Sequence, residues 1–236
     1  MTITHNTIIA AVLVFMSAIA TASPTPPTQG EGKAQLINKL SYFSASSKVD
    51  NQASPGCTVG LDCPFYTGKP LIINGPTYVD LNFVKASLGH DTPTLIESGV
   101  HNKKLILINE SSNYKITYNV NGVLCGGTVG DTVQFMATVG FQNPQPTEAS
   151  KFSPISTATI INQADTTNNI GISGAANAGG QVILNLPQGT KLWLTYALLG
   201  YNIENKNSPP KFYNNGDNSP CTFGGFSSYI MVEKLN

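Results

Sequence analysis

The sequence predicts an all-β fold, an antiparallel sandwich or barrel. Three observations carry this. Apolar and polar residues alternate with a period of two in several stretches, the mark of strands with one buried face. Glycine, proline and asparagine pairs punctuate these stretches at short intervals. No window shows the periodicity of an amphipathic helix; the best, Asp80 to Leu88, is short and is followed by Gly89.

The elements follow from about Leu36 onward. Leu71 to Asn74, Tyr78 to Phe83 and Leu105 to Asn109 are short strand candidates. Tyr114 to Asn121 is the clearest strand, with Tyr114, Ile116, Tyr118 and Val120 on one face. Lys115, Thr117, Asn119 and Asn121 fall on the other, as in a half-buried strand. Thr132 to Phe141 repeats the pattern through Val133, Phe135, Ala137, Val139 and Phe141. Thr157 to Ile161 is another short strand. Gln181 to Leu186 and Lys191 to Tyr196 are two more, joined by Pro187-Gln188-Gly189-Thr190. Phe226 to Leu235 closes the chain. Asn74-Gly75, Asn121-Gly122, Asn143-Pro144, Ser208-Pro209-Pro210 and Asn215-Gly216-Asp217 read as turns. The stretch 142–179, rich in Asn, Thr, Gly and Ala, reads as an enlarged loop suited to variable recognition.

Composition excludes some partners. Charged residues make up 11% of 236 residues, and the 13 basic residues, all lysine, balance 13 acidic ones. Clustered cations are what phosphate binding needs, and arginine, its best bidentate donor, is absent, so no nucleic acid is expected as partner. The 41% hydrophobic fraction is enough for a core.

The first 22 residues read as an export signal. Ile8 to Ala20 is an apolar run, shorter than the ~20 residues of a membrane span. Ala20-Thr21-Ala22 follows with small residues at both recognition positions of a cleavage site. The n-region lacks lysine, and the alternative reading is a retained membrane anchor. No second apolar stretch approaches membrane-spanning length, so no transmembrane span is expected in the mature chain. Residues 23–35 form a Pro/Gly-rich leader, and 36–236 a single domain. The expected location is outside the cytoplasm: secreted, periplasmic or at the cell surface. Four cysteines, Cys57, Cys63, Cys125 and Cys221, lie in the mature part, and an even count in an exported chain points to disulfides. A short Gly-containing loop brings Cys57 to Cys63, which leaves Cys125 with Cys221. The alternative, a metal site, finds only His90 and His101 and no C-x-x-C.

Catalytic motifs are scarce. A serine hydrolase needs a strained nucleophile turn and a histidine base, and no G-x-S-x-G occurs. His90 and His101 sit in loop sequences. Glu97 and His101, on a strand, would stand ~13 Å apart, too far to share a metal. Asn214 to Asn218 carries side-chain oxygens that would suit Ca²⁺, although a plain turn explains it as well. No cofactor motif is present. Asn109-Glu110-Ser111 is an N-glycosylation sequon, meaningful only in a eukaryotic secretory pathway.

Four segments, in order along the chain, carry a resemblance. Tyr42-Phe43-Ser44-Ala45 resembles an opening F-S-A strand. Ser112 to Val120 resembles a G-x-Y-x-I-x-Y-x-V strand, with Asn113 replacing the glycine before the tyrosine. Val182 to Leu194 resembles a V-x-L-x-x-G-D-x-V-x-L hairpin, with Thr190 in the aspartate's place. Cys221 to Phe226 resembles a closing T-F-x-G-F strand. These are motifs of the tumour-necrosis-factor-like and complement globular-head jelly rolls, which include the C-terminal domains of bacterial exosporium collagen-like glycoproteins. The resemblance implies a two-sheet antiparallel jelly-roll sandwich, no enzymatic activity, and a homotrimer binding a protein or glycan ligand, or a surface, by multivalency. The runner-up is a secreted hydrolase or carbohydrate-active β-sandwich.

The trimer expectation has a residue-level basis. In the closing strand Phe226, Ser228, Ile230 and Val232 form one face, and Ser227, Tyr229, Met231 and Glu233 the other. A half-exposed strand should be polar on its second face, yet Tyr229 and Met231 stand there. Both faces want cover: one from the core, the other from neighbouring subunits or from the chain's own loops. Trp193, opposite Leu192 and Leu194 on its strand, is expected to join Tyr229 and Met231 at the interface.

Overall fold

The computed structural model describes residues 41–47, 56–67, 79, 81, 83–89, 91–97, 104–145, 149–165, 171–214, 221 and 227–235. The signal and leader, His90, His101, Asn215 to Asn218 and the strand expected at Leu71 to Asn74 lie outside them. Every regular element among the described residues is a strand: β1 (Tyr42–Ser46), β2 (Cys57–Thr58), β3 (Phe83–Leu88), β4 (Thr94–Glu97), β5 (Lys104–Leu107), β6 (Ser112–Cys125), β7 (Thr132–Gln142), β8 (Lys151–Phe152), β9 (Ser156–Ile161), β10 (Gln163–Asp165), β11 (Gly171–Leu186), β12 (Lys191–Asn202), β13 (Lys211–Tyr213) and β14 (Tyr229–Leu235).

Two antiparallel sheets face each other. The larger runs β10-β11-β6-β14-β1-β3, with β13 pairing β6 and β2. The smaller runs β4-β5-β12-β7-β8, with β9 also on β7. First and last strands lie side by side, Phe43 opposite Val232. This is the all-β two-sheet sandwich expected, and period-two alternation built it. Tyr114, Ile116, Tyr118 and Val120 of β6 face Val133, Phe135, Ala137 and Val139 of β7 and Leu192, Leu194 and Leu198 of β12 in one continuous core. Burying each large apolar side chain there is worth roughly 1.5–3 kcal/mol. The Phe135 and Phe212 rings meet at 5.3 Å, and Tyr196 stacks on Phe212 at 5.7 Å.

Several local readings change. Asn121-Gly122 is no turn: β6 runs through it. A Cβ on Gly122 would come within 2.8 Å of Phe135 and 2.9 Å of Phe212, so glycine lets two rings press on the strand. Asn121 does not face solvent; it is buried, and its N–H donates to Ser228 Oγ at 2.9 Å. The weak helix candidate Asp80 to Leu88 yields β3 instead, an edge strand pairing β1. The stretch 142–179 is no loop in its described part. It carries β8, β9, β10 and the first half of β11, whose small residues pair with β6 from Ser173 opposite Cys125 onward. The turn from Pro187 to Thr190 joins no hairpin, because β11 belongs to the larger sheet and β12 to the smaller. It carries the chain over the sandwich edge. Thr190, in place of the motif's aspartate, closes it by donating its hydroxyl to Pro187 O at 2.7 Å.

Trp193 is also corrected. It lies on the outer face of the smaller sheet, not beside β14, and is fully buried within its own chain. Its indole covers Gly140 directly opposite, meets Phe152 edge-on at 6.1 Å, and packs with Leu105 and Ile96. No indole surface remains for a neighbouring subunit. A Cβ on Gly140 would fall 2.2 Å from the indole. Gly140→Val should therefore destabilise the fold by about 1–3 kcal/mol or more, through overpacking. Urea unfolding checks this, and an unchanged midpoint would contradict the packing.

Two core tyrosines make stability pH-dependent. Burial, then Glu110 and Asp91, push the Tyr114 hydroxyl up to about 12, and burial with Asp62 does the same for Tyr196. A folded-state value above the unfolded one near 10 means the contribution is whole below pH ~10 and is lost as pH rises through ~12. Melting temperature should fall across that window, and less steeply in Tyr114→Phe.

Candidate functional site

The closing strand sets the candidate site. In β14, Ile230 and Val232 point into the core and are fully buried, as is Ser228 just before the strand, while Tyr229, Met231, Glu233 and Leu235 are half-buried on the sheet's outer face. The alternation expected over this segment holds from Ser227 to Glu233; Phe226 lies outside the described residues.

Register builds this outer face into rows. Glu233 stands between Lys115 of β6 and Tyr42 of β1; Ile183 of β11 lies beyond Lys115 and Leu88 of β3 beyond Tyr42. Met231 stands between Thr117 and Ser44, and Tyr229 between Asn119 and Ser46. Ile183 is 65% exposed and Leu88 53%, so the charged pair in the middle is flanked by apolar side chains on both sides. Lys115 Nζ reaches Glu233 Oε2 at 3.3 Å with both side chains more than a third exposed. Such a pair contributes at most about 1 kcal/mol, and its role is to set the polarity of the face rather than to hold the sheet. At the rim Lys234 Nζ pairs with Glu110 Oε2. Between β6 and β11 the face also carries two amide pairs: Asn185 Nδ2 donates to Asn113 Oδ1 at 3.0 Å, and Asn119 Nδ2 to Asn177 Oδ1 at 3.3 Å.

Of the three interface residues expected, the structure keeps Tyr229 and Met231 together on one face and takes Trp193 away to the other sheet. Sequence reasoning missed Ile183, Leu88 and Tyr42. The signal for Ile183 was present: Val182, Leu184 and Leu186 alternate inward, which leaves an isoleucine outward.

The cysteines divide into two places. Cys57 and Cys63 form a disulfide, with Cα atoms 4.8 Å apart, that closes the Thr58 to Asp62 loop. Leu61 at its tip is 79% exposed. Cys125 and Cys221 are buried in one small cluster with Val123 and Tyr213. Burial pushes the Tyr213 hydroxyl upward.

Two candidate sites cannot be placed. His90, His101 and the Asn215 to Asn218 part of the oxygen-rich turn lie outside the described residues; Asn214 O accepts from Ser228 Oγ. Among the described residues no three His, Cys, Asp or Glu side chains gather as a metal-holding group. No helix among them is long and apolar enough to cross a membrane. The sequon asparagine, Asn109, donates Nδ2 to Thr92 O at 2.5 Å.

No family model and no curated protein matches the chain. Solved structures similar to it include Eiger TNF from S. frugiperda, at 11% identity over 84% of this chain and 92% of that one, with a TM-score of 0.41. Murine APRIL is similar at 9% identity over 84% and 100%, TM-score 0.40. The globular domain of the zebrafish complement 1qA protein is similar at 12% identity over 83% and 96%, TM-score 0.36.

Proposed function

We propose that this chain is an exported, non-enzymatic recognition or surface module that assembles as a homotrimer through the outer face of its larger sheet. One observation carries the reading: Tyr229 and Met231, with Ile183 and Leu88 on the flanks, leave apolar surface on a sheet face whose other side already fills the core. Completing the burial of Tyr and Met is worth up to roughly 1.5–3 kcal/mol per side chain. Three copies around one axis repeat that gain at every contact, and three identical faces then raise avidity without tight single-site binding. The ordered F-S-A, Y-x-I-x-Y-x-V and T-F-x-G-F motifs support the same reading.

Light scattering should report three chain masses at micromolar concentration. Tyr229→Asp, which places a charge on that face, should give a monomer with an unchanged β-sheet circular dichroism spectrum. A wild-type monomer would overturn the assembly.

Export is supported by the Ile8 to Ala22 signal pattern and by the Cys57–Cys63 bond. The reading extends it to a second disulfide, Cys125–Cys221, since both residues share one buried cluster. That bond would close a loop of about a hundred residues and contribute up to ~4–5 kcal/mol in the chain-entropy model. Non-reducing peptide mapping of secreted protein should recover both linked pairs. Alkylation of Cys125 and Cys221 without prior reduction would overturn the second.

A further inference from the structure

A second site lies on the far side of the sandwich. β7 ends at Gln142 and the chain leaves through Asn143-Pro144, while β12 begins at Lys191, in register with Gln142. Lys191 shares its strand face with Trp193, two residues on, so it stands on the outer face of the smaller sheet. Between these segments is a cleft of about 390 Å³ lined by Gln142, Asn143, Pro144, Gly189 and Lys191. That volume falls within the ~300–1,000 Å³ range of small-molecule sites.

Its walls are fixed by hydrogen bonds. Gly189 N–H donates to Ile108 O at 2.8 Å, and Gln188 N–H to Ser111 Oγ at 2.8 Å. The Thr190 hydroxyl donates to Pro187 O at 2.7 Å, and Asn143 Oδ1 stands 3.3 Å from the same oxygen, which sets the carboxamide beside the turn. Among the described residues that line the cleft, the side chains are two carboxamides, one pyrrolidine ring and one ammonium, and Lys191 carries the one charge.

The geometry points to a binding site for a carboxylate-bearing sugar. An exposed lysine ammonium pairs with a carboxylate as a point charge. Carboxamides donate and accept together, which suits sugar hydroxyls that do the same. Pro144 offers the apolar surface on which a pyranose C–H face rests. Uronic and sialic acids share this chemistry. The cleft is on the opposite sheet from Tyr229 and Met231, so it faces outward whether or not the chain assembles. A trimer would carry three such clefts and would turn weak single-site affinity into avidity.

The test is titration of ¹⁵N-labelled full-length mature protein with the methyl glycosides of glucuronic acid and N-acetylneuraminic acid, read at the amide signals of Gly189 and Lys191. Saturable shifts with at least one acidic glycoside are expected. The neutral methyl galactoside, or Lys191→Gln with the acidic glycoside, should bind roughly ten-fold more weakly, the loss of one charged contact. Which acid binds tighter separates the two sources. No saturable shift with either would overturn the site, as would a Lys191→Gln affinity within about two-fold of wild type. Sodium acetate shifting the same signals equally well would overturn the sugar assignment. Light scattering on the same samples reports assembly separately, so loss of sugar binding and loss of the trimer are distinguishable.

Discussion

Strand β6 must satisfy hydrogen bonds along both edges, and the rest of the sandwich is arranged around that requirement. One edge pairs with β11 over its whole length, from Ser112 opposite Leu186 to Cys125 opposite Ser173. The other edge changes partner: β14 covers Asn113 to Asn119, and β13 covers Val123 to Cys125. At the change of partner a backbone N–H would be left buried without an acceptor, at a cost of about 1–3 kcal/mol. Ser228 fills the gap. Its hydroxyl oxygen accepts from Asn121 N–H and donates to Asn214 O, joining the end of β13 to the start of β14. Once that junction is set, the pleat of β6 decides which residues of β14 face the core. A slip of one residue would send Ile230 and Val232 outward and bring Tyr229 and Met231 in.

The two outer faces are covered by their own chain to different extents. The smaller sheet covers its own exterior: Trp193 lies over Gly140, and Phe152, arriving on β8, closes its edge. A second small cluster, Met136 and Ala197 with Tyr66, Phe152 and Leu199, continues the cover. On the larger sheet, the described outer face carries half-buried Tyr229 and Met231 between amides and a charged pair. An apolar residue at an outward strand position therefore means different things on the two sheets.

That difference marks where the sequence was legible. The lower half of β6 could be read because one side is apolar and the other polar, and the inner faces of β7 and β14 because apolar residues recur there at every second position. From Asn121 onward β6 is buried on both faces, the alternation vanishes, and a packing glycine imitates a turn. The first half of β11, Gly171 to Gly180, has a composition of low β-propensity and is held extended by its pairing with β6, which no local pattern announces. Trp193 was misplaced for a related reason. Periodicity says which side of a strand a residue occupies, but only tertiary contacts say whether the chain later returns to cover it. The cleft at Gln142 and Lys191 joins segments about fifty residues apart and left no trace in sequence spacing.

The charge balance of this chain is compatible with the closed assembly proposed above. With 13 basic and 13 acidic residues, net repulsion between copies is absent. An apolar patch on such a molecule invites open-ended association unless every patch is consumed in a closed ring. The edges are guarded locally. β4 ends at exposed Glu97 opposite Lys104, and β3 carries exposed Lys85, charges that disfavour edge-to-edge pairing. Asn113 with Asn185, and Asn119 with Asn177, direct amide hydrogen-bonding capacity at each other rather than at a neighbour. What these devices leave available on the described part of the larger sheet is the face around Tyr229 and Met231. In the proposed assembly a contact made there would rest on shape and apolar area, which salt screens little, and rotational closure would limit it to a finite number of copies.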